Sequence, residues 1–154
     1  MLPGRPLSRR RLLASVGGLV IVTIAPVRVS ATPEELTAAL AEEFGTAEIA
    51  AGRVELTLPA LSENGNSVSL EVQVQSPMTE ADHVAELHVF AEKNPLPRIA
   101  RFRFSPDSGV ARVATRIRLA DSQTVIAVAR MSDGSLWSGR ARIIVTLAAC
   151  LDLS

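Results

Sequence analysis

The sequence predicts an all-β domain: an immunoglobulin-like antiparallel β-sandwich, with a short N-terminal helix before it and a C-terminal arm after it. Three observations carry this. From Gly52 onward apolar and polar residues alternate with a period of two, the pattern of half-buried antiparallel strands. About seven such runs recur at roughly 8–12-residue spacing, divided by clusters of Asn, Asp, Gly, Pro and Ser, as sandwich domains require. A length of 154 residues, 47% apolar and 21% charged, fits one globular domain rather than a disordered tail.

The first 31 residues read as an address. Arg9-Arg10-Arg11 precedes an uncharged run from Leu12 to Val27. That run falls short of the ~20 residues a membrane-spanning helix needs. Val29-Ser30-Ala31 offers a small-residue cleavage site. Paired arginines before an apolar run are the mark of a twin-arginine export signal. Residues 1–31 are therefore expected to be removed, leaving Thr32–Ser154 outside the cytosol.

Thr32-Pro33-Glu34-Glu35 starts a helix: Thr32 caps, Pro33 suits the first turn and Glu35 completes a capping box. Leu36, Leu40 and Phe44 fall on one face, and Gly45 ends the helix. Its apolar face is expected to lie along the edge of the β domain. Val54, Leu56 and Leu58 then alternate with Arg53, Glu55 and Thr57. Val68, Leu70, Val72 and Val74 alternate with Ser69, Glu71, Gln73 and Gln75. Asn64-Gly65 between these runs tolerates positive φ and suits a tight turn. Further strands are expected at Val84–Glu92, Arg98–Ser105, Arg112–Leu119, Thr124–Met131 and Leu136–Leu147. Thr124–Met131 is apolar on both faces, as a central strand is. Residues 32–147 thus form the sandwich, and 148–154 the arm.

The composition excludes several functions. Aromatics are only 3% and Tyr is absent, which argues against base stacking on an aromatic platform. Residues 1–31 hold five Arg and no acid, so eleven basic residues face sixteen acidic ones in the rest. An acidic body is a poor match for a phosphate backbone. There is no glycine-rich phosphate loop, no G-x-S-x-G and no H-E-x-x-H. His83 and His88 fall on opposite faces of an extended strand, so a shared metal is not expected, and both read as solvated or loop histidines. Arg112, Arg116 and Arg118 share one strand face, and Arg101 and Arg103 form a similar pair on the strand before. These read as a solvated outer face or as a partner-docking face.

The chain has a single cysteine, Cys150, after the last strand and close to the end of the sequence. One thiol cannot form an internal disulfide, and in an oxidising compartment a free thiol tends to be capped or used. Two readings stay open on residues alone. Cys150 is either a small apolar side chain tucked beside Leu147 and Leu151, or a projecting attachment point. Either way the chain reads as a binding module without an active site, metal or cofactor of its own.

The stretch from Asp82 to Trp137 resembles the SoxY sulfur-carrier family. Most of the resemblance lies in Lys93-Asn94-Pro95, Ile117-Arg118-Leu119-Ala120, Ser122-Gln123 and Met131-Ser132-Asp133-Gly134-Ser135. The resemblance implies a periplasmic immunoglobulin-like protein paired with a SoxZ-like β-sandwich. It implies a carrier whose C-terminal cysteine, Cys150 here, presents sulfur intermediates to a haem protein, a sulfate-releasing hydrolase and a molybdenum enzyme. The arm departs from the family's Gly-Gly-Cys-Gly-Gly: it reads Ala148-Ala149-Cys150-Leu151-Asp152. This is similar to a divergent group with Ala-Ala-Cys-Ile-Glu, associated with quinoprotein dehydrogenase systems. Alanine keeps the arm slim but stiffens its backbone. Asp152 raises the thiol pKa and repels a sulfonate cargo. The alternative is an interaction protein whose Cys150 is structural or forms an intermolecular disulfide.

Overall fold

A computed structural model of the protein describes residues 33–147. The expected export signal (1–31), Thr32 and the residues of the expected arm, Ala148, Ala149, Cys150, Leu151 and Asp152, lie outside them. Among the described residues there is one α-helix and there are nine strands. The elements are α1 (Pro33–Phe44), β1 (Ile49–Ala51), β2 (Val54–Thr57), β3 (Leu61–Ser62), β4 (Val68–Val74), β5 (Val84–Ala91), β6 (Arg98–Arg103), β7 (Ala111–Ile117), β8 (Gln123–Met131) and β9 (Leu136–Val145). The seven strands expected from alternation are β2 and β4–β9. The two additional ones, β1 and β3, are three and two residues long, too short for a period to show.

The larger sheet runs β1-β9-β8-β5-β6, with β3 also on β9, and the smaller runs β2-β4-β7. Pairing is antiparallel except that β1 and β3 lie parallel to β9. The core fills the space between the sheets. Leu87, Val89, Val125, Ala127, Ala129 and Ile143 from the larger sheet meet Val68, Leu70, Val72 and Val74 from β4. Alternation is strict in β4, where the four apolar side chains are buried while Ser69 and Gln73 are exposed.

β5 and β8 are buried on both faces because α1 covers the outer face of the larger sheet. Leu36 and Phe44 of α1 cluster with Phe90, Val128 and Leu136. The helix therefore lies on a sheet face and not along the domain edge, because Phe90 and Val128 supply the apolar surface its stripe needs. Gly45 ends it at φ 65°, donating to the Ala41 carbonyl at 2.8 Å.

The chain passes from the larger sheet to the smaller at Gly52 (φ 117°) and Arg53 (φ 57°). Arg53 is held there by its guanidinium, 5.3 Å from the Trp137 ring centroid and 3.7 Å from Asp82. β2 then crosses directly over Gly139 of β9. A Cβ at position 139 would stand 2.1 Å from the Val54 carbonyl oxygen, so only glycine permits this approach. Asn64-Gly65 departs from the expected hairpin turn. Gly65 has no positive φ and is buried. Its backbone bonds to two other segments instead, described below.

Candidate functional site at the base of the cysteine arm

The end of β9 is the part of the described chain that precedes Cys150 in the sequence. It is fastened by successive hydrogen bonds. The Val145 N–H donates to Ser122 Oγ at 2.9 Å, and Ser122 Oγ–H returns to the Val145 carbonyl at 3.3 Å. The Thr146 N–H donates to the Ser62 carbonyl at 3.1 Å. Gly65 N–H donates to the Leu147 carbonyl and Gly65 C=O accepts from Leu119 N–H, both at 2.8 Å. Leu147, Gly65 and Leu119 are thereby chained side by side, which ties the last described residue to the segment that follows β7.

That segment is locked in turn by Asn94, which is almost fully buried. Asn94 Nδ2 donates to the Arg118 carbonyl at 2.8 Å, and Asn94 Oδ1 accepts from Ala120 N–H and Gln123 Nε2, each at 3.0 Å. Gln123 Nε2 also donates to the Asp121 carbonyl, and its Oε1 accepts from Lys93 N–H at 2.7 Å. A buried amide pair with satisfied donors and acceptors rigidifies what it touches. Asp121 is held below the usual carboxylate range by the Ser122 N–H and then by the Lys93 ammonium at 3.2 Å.

The likeness noted in the sequence maps onto such fasteners. Asn94, Arg118, Ala120 and Gln123 form the knot just described. Ser132 accepts from the His83 N–H and donates to the Ala81 carbonyl, and Asp133 accepts from Ser135 N–H at 2.8 Å. An Asn-Pro pair and a Ser-Gln pair read as turn chemistry. That Asn94 and Gln123 bond each other requires the tertiary register, so the sequence reading missed it.

A second polar cluster lies beneath α1 on the outer face of the larger sheet. His88 is fully buried between Phe44 and Phe90, which corrects the expectation of a solvated or loop histidine. It sits in β5, whose outer face α1 covers. Its Nε2 is 3.3 Å from Glu86 and its Nδ1 is 3.7 Å from Glu43, with no hydrogen bond made by Nδ1. Burial holds the imidazole pKa below its ordinary value, against the pull of Glu86. His83 lies in the turn before β5, its Nδ1 3.0 Å from the Thr79 carbonyl, and is not part of this cluster. Ligand atoms of Glu43, Glu86 and His88 lie within 4.8 Å of one another. Arg98 already pairs with Glu43, and Arg101 and Arg103 with Glu86 at 2.6 and 3.2 Å. Three guanidinium groups thus oppose two carboxylates, and a further cation would meet net positive charge. The Arg101 hydrogen bond holds Glu86 down to about 2, against desolvation. We read this cluster as the clamp of α1.

The arginines are divided by these contacts. Arg101 and Arg103 converge on Glu86, and Arg112 pairs with Glu71 at 2.8 Å. Arg116 and Arg118 are exposed on the face that alternation assigned to them. Arg116 reaches only the Ser67 hydroxyl, at 3.1 Å, and Arg118 makes no side-chain bond or ion pair among the described residues.

The fold and this site define a class: a β-sandwich with a helix on one face and its C-terminal end fastened by a buried amide knot. The match to the family model of the sulfur oxidation protein SoxY covers residues 40–150, and the chain belongs to the SoxY family. Among solved structures it is similar to the sulfur carrier protein SoxY from Chlorobium limicola f thiosulfatophilum. The TM-score is 0.62 at 24% identity, over 74% of this chain and 98% of that one. It is also similar to a superoxide reductase (neelaredoxin) from Ignicoccus hospitalis, with TM-score 0.54 and 16% identity over 79% of this chain and 98% of that one. At these identities the likenesses are of fold. No curated protein matches the chain. Among the described residues no helix is long and apolar enough to cross a membrane.

Proposed function

We propose that this protein is a periplasmic covalent carrier, exported by the twin-arginine route, that holds a sulfur-containing intermediate on Cys150 and presents it to partner enzymes. The observation that carries the reading is the extent of the family match. It ends at residue 150, so it takes in Cys150, three residues beyond the last described residue. The fastened base supports it too. A group passed between enzymes needs a defined origin, and Leu147 is tied through Gly65 to Leu119 and the Asn94 knot.

The chemistry asked of Cys150 is that of a thiol. A free thiol has a pKa of ~8.5, so a small fraction is thiolate at neutral pH. Joining it to the sulfur of a sulfur anion forms an S–S bond and releases one proton and two electrons. A partner oxidoreductase must accept those electrons, so the carrier supplies an attachment point rather than a catalyst. Ala148, Ala149, Leu151 and Asp152 shape that point. Asp152 disfavours a sulfonate beside it, which favours a cargo or a quinoprotein-associated partner different from those of plain thiosulfate oxidation. A SoxZ-like β-sandwich is the proposed heterodimer partner, and folded export lets it travel without its own signal.

Intact mass of the exported protein tests this directly. Adducts of sulfur-atom or sulfonate mass that vanish with reductant, and that Cys150→Ser abolishes while the fold persists, are expected. A free-thiol mass under all conditions, or a cysteine that reacts with thiol reagents only in denaturant, overturns the carrier reading. Co-purification with a co-expressed SoxZ-like protein tests the partner. Arg9→Lys with Arg10→Lys tests the export route, with unprocessed precursor in the cytoplasm as the expected result.

A further inference from the structure

The connection between β3 and β4 contains Asn64-Gly65. An asparagine before a glycine is open to cyclisation. The backbone nitrogen of the second residue attacks the side-chain carbonyl carbon of the first, and glycine sets no Cβ in the way of that approach. We infer that Asn64 is a modification site, a deamidation centre that stays closed while the Leu147 carbonyl holds the Gly65 N–H and opens when that bond is lost.

Of the chain's three asparagines, Asn64 is the one that meets the chemical requirements. Asn94 is buried and precedes Pro95, which has no N–H to give up. Asn66 precedes Ser67, whose side chain hinders the approach. Asn64 is exposed, so water reaches its side chain and the ammonia it releases escapes. Its Oδ1 accepts from the Asn66 N–H at 2.9 Å, which draws electron density away from Cγ and makes that carbon a better electrophile. The nucleophile is the restrained partner. Gly65 is buried. Its N–H donates to the Leu147 carbonyl and its carbonyl accepts from the Leu119 N–H, both at 2.8 Å. The Ser62 hydroxyl also donates to the Asn64 carbonyl, at 3.0 Å. Attack requires the Gly65 nitrogen to shed its proton and turn toward Cγ of Asn64. In the fastened fold that proton is engaged, and the peptide units on both sides of Gly65 are pinned. An exposed electrophile thus sits beside a held nucleophile, with the bond to Leu147 as the catch.

The reaction balances without a redox partner. The bond from Gly65 N to Asn64 Cγ forms, the Cγ–Nδ2 bond breaks, and ammonia leaves with the proton that Gly65 N gave up. Water then opens the succinimide at either carbonyl, giving aspartate or isoaspartate. In isoaspartate the main chain runs through Cβ and Cγ and gains one carbon. Gly65 then no longer meets Leu147 and Leu119 in the same register, so a chain modified in this way cannot refasten the end of β9. The inference concerns the sandwich alone and does not rest on what Cys150 carries.

The mature chain, Thr32 to Ser154, is incubated at mildly alkaline pH. The tryptic peptide 54–93 is then followed by mass and fragmentation, which read the conversion of amide to acid and assign it to Asn64 or Asn66. The folded chain is expected to convert at Asn64 about fivefold more slowly, or slower still, than the same chain unfolded in urea, the factor that one backbone hydrogen bond contributes. A chain ending at Thr146 lacks the Leu147 acceptor and is expected to recover most of that difference with its circular dichroism unchanged. Should that chain fail to fold, the full-length protein decides. At urea concentrations below the unfolding transition, its conversion is expected to rise in step with hydrogen exchange of the Gly65 amide. In converted protein the Gly65 and Leu119 amides are expected to exchange faster than in fresh protein, and Asn64→Ser is expected to abolish the isoaspartate product. Equal rates in the folded and unfolded chain, a folded chain ending at Thr146 that converts no faster than the full one, conversion that does not follow Gly65 exchange, or acid formed at Asn66 in place of Asn64 overturns the inference.

Discussion

Asn94→Ala is the substitution that most directly tests how the segment fastened to the end of β9 is built. The side chain is 4% exposed and makes three hydrogen bonds: to the Arg118 carbonyl, the Ala120 N–H and the Gln123 amide. Alanine removes all three and leaves two backbone groups without these partners. Each lost bond is worth about 1 kcal/mol net, with more for a partner stranded away from water. The sum is about 3 kcal/mol. For a domain of this size that corresponds to a fall in Tm of roughly 12 °C. Urea and thermal unfolding of the mature chain, followed by circular dichroism, give both numbers. Asn94→Asp is the informative companion. It keeps an acceptor for Ala120 and Gln123 but sets a carboxylate oxygen against the Arg118 carbonyl, so it should be no milder than alanine at neutral pH. A loss below about 1 kcal/mol for both variants would show that the knot is satisfied by water as readily as by Asn94, and the argument for a rigid base would fail.

Gly139→Ala should destabilise by about 2 kcal/mol or more, because its methyl would meet the Val54 carbonyl oxygen and β2 must move away; an unchanged urea midpoint would refute that close approach. Acid should weaken the fold in two stages. His88 is held below its ordinary pKa, so the unfolded chain binds its proton first and stability falls as pH drops below about 6.5. Glu86, held down to about 2, contributes stability that is complete above its unfolded value of 4.5 and is lost as pH falls from there toward 2. In His88→Phe the upper stage should disappear from a plot of unfolding free energy against pH while the lower remains; survival of the upper stage would assign it to another group.

Much of the architecture was legible because burial and period coincide. β4 shows its alternation openly, and β8 was readable as a central strand from apolar residues on both faces. What sequence alone could not supply was the partner of each face. The stripe Leu36, Leu40, Phe44 identifies a helix that packs, yet whether it packs on an edge or a face depends on Phe90 and Val128 turning outward, which follows from strand register. β1 and β3 were invisible because they are held by parallel pairing to β9 and not by a pattern of their own. His88 illustrates the same limit at a polar site. Its neighbours in sequence are Leu87 and Val89. Its chemistry comes from burial under α1, from Glu86 two residues before it in β5 and from Glu43 on α1.

The resemblance carried by Asn94, Arg118 and Gln123 is therefore a statement about the platform, since these residues fasten the end of β9. On the proposed carrier reading, the cargo is a matter for residues 148–152, where this chain departs from Gly-Gly-Cys-Gly-Gly. If platform and arm are independent in this way, they can be exchanged. Introducing Ala148→Gly, Ala149→Gly, Leu151→Gly and Asp152→Gly together should leave unfolding within about 1 kcal/mol of wild type, because terminal residues contribute little to a core. The same chain should label faster at Cys150, since it has lost the carboxylate that disfavours the thiolate. It should also accept a sulfonate adduct more readily, having lost the charge that opposes one. Unfolding free energies and the mass of adducts formed in the exported protein measure the two halves separately. A loss of more than about 2 kcal/mol would mean that the arm is part of the core, with Cys150 a packing residue, and the division of labour argued here would be wrong.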